Sequence, residues 1–168
     1  MIVVKKALTE HVNGIVSVCS NGYRDTYEET HAKAYIERVI RDFYNRDRIL
    51  KEVTHTTREW NGWFVALDGD NVVGAIGGGM IGLEEGEVFV LYLDPNRKRE
   101  GIGSKLLNEL TKNQLQRGAR EQWVSVSKGN VKGIPFYEAV GFRVQSEQES
   151  YSNLEEEVYT SLRYRRSL

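Results

Sequence analysis

Gly101 and Gly103 stand one residue apart, behind a basic turn of Arg97, Lys98 and Arg99 and ahead of an apolar row at Ile102, Leu106, Leu107 and Leu110. The row has helical spacing, so the glycines fall where a helix begins. The first N–H groups of a helix lack intrahelical acceptors, and the aligned peptide dipoles make that end partly positive. Phosphate is the usual guest of such a site. Glycine removes the Cβ that would hold a phosphate away from the backbone. Alone, the three cations read equally as a solvated turn. What precedes them narrows the reading: Leu91-Tyr92-Leu93-Asp94-Pro95 has the look of a strand running into the turn. Downstream, Asn130 to Phe142 (NVKGIPFYEAVGF) begins with an Asn suited to capping a helix and carries a Phe136-Tyr137 pair before a closing Gly141-Phe142.

The elements that must hold these residues follow from periodicity. Ile2-Val3-Val4 predicts a first strand. Thr9 caps a helix over 10–20 whose one face holds Val12, Ile15, Val16 and Cys19. Residues 21–30 read as a connection rich in aromatic and acidic side chains. A second helix is expected over 31–43, and Arg46 to Val53 either extends it or forms a separate turn. From residue 61 the period becomes that of strands. Trp63–Leu67 and Val72–Ile81 flank Asp68-Gly69-Asp70-Asn71, a hairpin signal. The run Gly74, Gly77, Gly78, Gly79 implies either a bulged or twisted strand or room left for a substrate. Glu87–Asp94 is the next strand. A helix over 102–116, a strand over 123–126, a short helix over 130–140 and strands over 143–146 and 158–164 complete the order. Strands joined by short turns must be antiparallel, while the strand–helix–strand step across 88–126 is a right-handed parallel crossover.

Composition bounds the function classes. The chain has 168 residues, 40% hydrophobic and 28% charged, which suits one soluble globular domain over 1–168. A net charge of −1 speaks against a nucleic-acid-wide basic face. The apolar runs are too short to span a bilayer, and MIVVKKALTEH has no signal-like core, so no membrane partner is expected. A lone cysteine, Cys19, forbids an intrachain disulfide and suggests a cytoplasmic setting. His11, His31 and His55 are scattered and form no metal-ligand pattern.

The two motifs together resemble the GNAT superfamily of N-acetyltransferases. The first is similar to its coenzyme motif, Gln or Arg followed by x-x-Gly-x-Gly or -Ala after a strand that ends in a hydrophobic-x-hydrophobic-x-Pro run, here Leu91 to Pro95 and then Lys98-Arg99-Glu100-Gly101-Ile102-Gly103. Lys98 keeps the charge without the planar fork of guanidinium. The second is similar to Asn-x-x-small-x-x-Phe-Tyr-x-x-x-Gly-Phe, matched by Asn130, Gly133, Phe136, Tyr137, Gly141 and Phe142. The resemblance implies a mixed α/β fold, with a mostly antiparallel sheet, one parallel crossover and about four flanking helices. It implies acetyl-CoA as co-substrate and a primary amine, on a small molecule or a peptide, as acceptor. A homodimer is left open.

The resemblance also implies roles. A splayed strand at Leu91, Tyr92 and Leu93 would offer its backbone to the pantetheine amides. Lys98, Arg99, Glu100, Gly101, Ile102, Gly103 and Ser104 would supply the pyrophosphate site. Asn130 would cap its helix and touch the pantetheine arm. Tyr137, a phenol with a pKa of about 10 when unperturbed, would donate a proton to the leaving sulfur; packing on the sheet is its other reading. Glu87 would be the base. Alternation puts Glu87, Phe89, Leu91 and Leu93 on one face unless a bulge intervenes, and a solvated carboxylate at a strand start is the plainer reading. Tyr23, Asp25 and Tyr27 would wall the acceptor site, charge and cation–π contact suiting an ammonium, though solvation explains them as well. Cys19 sits on a core face far in sequence from both motifs, which favours direct attack through a ternary complex over a covalent acetyl-cysteine. The competing reading is a non-catalytic acyl-CoA-binding regulatory module, and intact Glu87 and Tyr137 favour the enzyme.

Overall fold

The computed structural model describes residues 1–97 and 99–168. Its elements run β1 (Ile2–Lys6), a 3₁₀ turn (Thr9–His11), α1 (Val12–Tyr27), α2 (Lys33–Phe43), α3 (Arg46–Thr54), β2 (Gly62–Asp68), β3 (Asn71–Met80), β4 (Glu85–Leu93), α4 (Ile102–Gln116), β5 (Glu121–Ser127), α5 (Gly133–Ala139), β6 (Arg143–Glu149) and β7 (Thr160–Ser167). Among the described residues seven strands form one sheet in the order β1-β2-β3-β4-β5-β7-β6. Its pairs are antiparallel except β4 with β5, the parallel step across α4.

Two differences from the sequence reading matter. Residues 21–27 of the connection expected over 21–30 are instead the last part of α1, and only 28–30 form a turn. Gly22, Tyr23 and Tyr27 are buried at helical spacing after Ile15, Val18 and Cys19, so the aromatic residues extend the helix's inner stripe. Arg46 onward is a separate helix, started by Asn45, whose side chain accepts the Arg48 N–H at 2.9 Å.

The central strands are buried on both faces. Trp63, Val65 and Leu67 of β2 join the cluster under α1, α2 and α3, while Phe64 and Ala66 join the cluster under α4 with Ile102, Leu106, Leu107 and Leu110. Among the described residues no helix is long and apolar enough to cross a membrane.

The register of β4 positions the site. Gly77 pairs with Val90 but Gly78 pairs with Val88, so Phe89 is the extra residue of a β-bulge. A bulge moves every residue beyond it to the other face. Leu91 and Leu93 accordingly pack on the α4 side with Val88, whereas Val90 and Tyr92 pack on the α1 side. The expectation that Glu87 shares a face with Leu91 and Leu93 is therefore corrected: Glu87 faces the other way, into a pocket bounded by α3. Beyond Val88 and Val124 the parallel pairing of β4 with β5 stops, while β5 stays paired with β7 as far as Ser127. The strands part there, leaving the edge of β4 from Phe89 to Leu93 open.

Candidate active site

Two clefts flank the open edge of β4. The first, about 760 Å³, is lined by Leu91, Tyr92, Leu93, Arg99, Gly103 and the α5 region. At its floor α4 begins on Gly101, which holds a left-handed φ of 73°. Such a φ favours glycine, and Arg99 shares it at 64°. The first helical acceptor bond comes from Lys105 N–H to the Gly101 carbonyl at 3.1 Å, which leaves the N–H groups of Ile102, Gly103 and Ser104 directed out of the helix end. The Ile102 side chain is buried in the core, so only its backbone faces this end. Ser104 is exposed in the first turn. A Cβ on Gly103 would lie 3.2 Å from the Phe136 ring, so the residue is glycine where the helix end is tightest against the cleft.

The basic turn is less free than its charge suggests. Arg97 donates to Asp68 at 2.9 Å and to Glu100 at 2.7 and 2.8 Å. Those carboxylates raise its pKa, and its charge holds the turn to the β2–β3 hairpin. The Glu100 carboxylate is thus the partner of Arg97, which leaves the backbone of Glu100 as its contribution to the turn. Lys98 lies outside the described residues.

Across the cleft, Asn130 Oδ1 accepts the Gly133 N–H at 2.7 Å and caps the entry to α5. This places Tyr137 on the cleft wall, 6% exposed, edge-on to Phe136 at 5.2 Å and to Phe142 at 5.4 Å. Burial pushes its phenol pKa up, so it is protonated and a donor at neutral pH. Tyr137→Phe keeps the ring packing and removes the donor. Steady-state kinetics is expected to show kcat down by roughly 10²-fold, at the lower end of general-acid effects, with coenzyme affinity retained. A variant with the parent kcat would make Tyr137 structural.

The second cleft, about 600 Å³, lies on the α3 side and is lined by Glu52, Glu59, Glu87, Arg48, Arg163 and an aromatic wall. Arg163 reaches from β7 beneath the parted strands to Glu87, Nη1 to Oε2 at 2.9 Å. The same guanidinium donates to Ser125 Oγ at 3.0 Å and lies 5.0 Å from the Trp123 ring centre. Both side chains are mostly buried, at 17% and 14% exposed. This ion pair stands beside the point where β4 leaves β5. Sequence reasoning missed Arg163. Its signal was a charged residue at a sheet-interior position of an alternating strand.

The residues of the expected acceptor wall do not meet in the second cleft. Tyr23 and Tyr27 turn inward from α1, 4.6 Å apart between ring centres, and burial pushes the Tyr27 phenol up to about 12. Asp25 pairs with Lys132 and lines the first cleft. All three are placed by the continuation of α1 through residues 21–27, and none lines the second cleft.

A buried polar chain holds the bulge in place. Gln114 sits on the apolar stripe of α4 and is fully buried. Its Nε2 donates to the Glu87 carbonyl at 3.0 Å and the Gly79 carbonyl at 3.3 Å, while its Oε1 accepts from Gln122 at 3.0 Å. Arg166 Nε donates to Gln122 Oε1 at 3.0 Å and continues the chain. The seat exists because Gly86 has no Cβ; one there would come within 2.2 Å of Gln114 Oε1. Carbonyls that the bulge would orphan are thereby satisfied. Gln114→Leu leaves several buried groups unpaired at about 1–3 kcal/mol each. Denaturant unfolding is expected to show a lower midpoint, and an unchanged midpoint would show that water replaces the amide.

The model of the Acetyltransferase (GNAT) family matches residues 20–142. Spermidine N(1)-acetyltransferase of Thermoplasma acidophilum is 28% identical over 145 residues, 86% of this chain and 89% of that one. The uncharacterized N-acetyltransferase YuaI of Bacillus subtilis is 30% identical over 145 residues, 83% of this chain and 79% of its own. The crystal structure of PaiA N-acetyltransferase from Thermoplasma acidophilum in complex with coenzyme A superposes with a TM-score of 0.85 at 24% identity, over 100% of this chain and 99% of that one.

Proposed function

We propose, from the premise that this chain belongs to the GNAT family of acetyltransferases, that its acceptor is a small aliphatic polyamine. The chain is an acetyl-CoA-dependent N-acetyltransferase, read as one catalytic domain over residues 1–168 working in the cytoplasm. The observation that carries the reading is the pair of clefts meeting at the parted strands. One side presents a glycine-lined helix end suited to phosphate, and the other presents carboxylates among aromatic rings, suited to an alkylammonium. The likeness to a spermidine acetyltransferase supports the polyamine.

The first cleft fits the coenzyme, since Gly103 leaves open the space at the helix end that a side chain would fill. Acetyl-CoA supplies an acetyl group activated as a thioester. The backbone of Ile102, Gly103 and Ser104 would hold its pyrophosphate, and the open edge of β4 from Phe89 to Leu93 would pair with its amides. From the second cleft the amine nitrogen attacks the acetyl carbon, forming the C–N bond as the C–S bond breaks. Glu87, kept in place by Arg163, accepts the amine proton through water, and Tyr137 returns a proton to the sulfur. Cys19 is buried in the core and burial raises its thiol pKa, so it supplies no thiolate for a covalent route. The test is a comparison of kcat/KM for spermidine, n-butylamine and an alanine-started peptide. Spermidine is expected to lead, and a preference for the peptide would overturn the polyamine assignment.

A further inference from the structure

The second cleft has more order than holding one reacting amine requires. Its carboxylates are Glu52, Glu59 and Glu87, and its cations are Arg48 and Arg163. Each arginine is committed. Arg163 pairs with Glu87 at 2.9 Å. Arg48 pairs with Glu52 at 3.2 Å and stacks on Phe43, 4.7 Å from its centre. Glu52 also accepts from Trp63 Nε1 at 3.0 Å. Among the described residues, Glu59 is the one carboxylate of this lining that no cation pairs with.

The residues beside Glu59 form a rigid aromatic surface. Trp60 is fixed by its indole N–H, which donates to the Glu52 carbonyl at 2.7 Å. Its ring lies over Gly77, where a Cβ would come within 2.4 Å of it. Phe89 lies parallel to Trp60, with centres 6.4 Å apart and planes 11° apart, and Trp63 stands edge-on to Trp60 at 5.7 Å. Phe89 is the bulged residue of β4 and is 43% exposed, while Val88 before it is buried and Val90 and Leu91 after it are half-buried. An exposed phenyl on a central strand, beside a fixed indole and an unpaired carboxylate, is a surface made for an apolar chain ending in a positive charge.

We propose that Phe89, Trp60 and Glu59 form a subsite for the remote ammonium of a linear di- or polyamine, with methylenes lying along the rings and the charge at Glu59, while the reacting amine sits beside Glu87. This rests on the polyamine reading above and assigns the residues that select for a second charge. Glu59 is exposed and Phe89 partly so, hence Glu59→Gln and Phe89→Leu are expected to fold, as melting curves will show.

Calorimetry with spermidine and with n-butylamine, on protein saturated with coenzyme A, reads the subsite without turnover. The parent is expected to bind spermidine more tightly than n-butylamine. Each variant is expected to lose about tenfold of that preference, the range of a desolvated cation–π or charge contact. Variants that keep the parent's ratio, or a parent that does not distinguish the two amines, would overturn the subsite. Spermidine that binds with the expected ratio but is not acetylated would instead overturn the polyamine reading and leave the subsite standing.

Discussion

Gly103→Val is expected to abolish measurable acetyl-CoA binding while the protein stays folded. The residue occupies the first turn of α4, where the N–H groups of Ile102, Gly103 and Ser104 point out of the helix end. A Cβ there already begins 3.2 Å from the Phe136 ring, tighter than ordinary contact, and the two further methyls of valine have the cleft as their remaining space. They would hold a pyrophosphate off the N–H row. Hydrogen bonds to a charged group are worth about 1.5–3 kcal/mol each, so losing two weakens binding by roughly 10²-fold or more. Gly103→Ala asks Phe136 to yield by a few tenths of an ångström and should fall between parent and valine. Calorimetry with acetyl-CoA on variants of matched melting temperature checks both, and parent-like affinity for the valine variant would remove the helix end from the coenzyme site.

Glu87→Gln is expected to depress kcat/KM for the acceptor by roughly 10²–10⁴-fold, the size of a lost general base. Glutamine fills the same space but does not take up a proton. Coenzyme affinity should persist, because Glu87 lies across the sheet from the glycine turn. The change also takes from the mostly buried Arg163 its ionic partner at 2.9 Å. A melting curve therefore accompanies the kinetics, and rates are compared per folded molecule. A variant with the parent's kcat/KM would leave bulk water as the proton acceptor.

How far the sequence carried depends on the range of the interactions. The α4 start and the Asn130–Phe142 segment are local, so turn chemistry and helical spacing sufficed to mark the helix start at Gly101 and Gly103 and the cap at Asn130, while the family resemblance supplied the link to Tyr137; Gly103, Asn130 and Tyr137 line one cleft. The element order followed from periodicity for the same reason. The second cleft was not legible because its members meet through long-range packing. Glu52 and Glu59 flank the end of α3, Phe89 comes from β4 and Arg163 from β7. Nothing local marks them as neighbours.

The reversal of Glu87 shows the cause in one residue. Alternation along β4 is correct on each side of Phe89, and one inserted residue inverts the relation between the halves. The glycine run opposite, Gly77 to Gly79, carried that signal, and both of its readings have a counterpart. The bulge lies in the partner strand β4, opposite Gly77 and Gly78, and the room over the glycines is filled by this chain's own Trp60 ring and the Glu59 backbone, which passes over Gly79. Tyr23 and Tyr27 went astray for the opposite reason. Their polar neighbours, Arg24, Asp25 and Glu28, made a helix with a buried aromatic stripe look like a loop.

The central claim is that this chain moves an acetyl group from acetyl-CoA to an amine nitrogen across the mouth between β4 and β5. One measurement tests it most directly: incubation with acetyl-CoA and spermidine, with free thiol and N-acetylspermidine quantified together over time. The two products are expected to appear in equal amounts and only when protein, acetyl-CoA and amine are all present. Coenzyme binding without thiol release for spermidine or any other amine offered would contradict it.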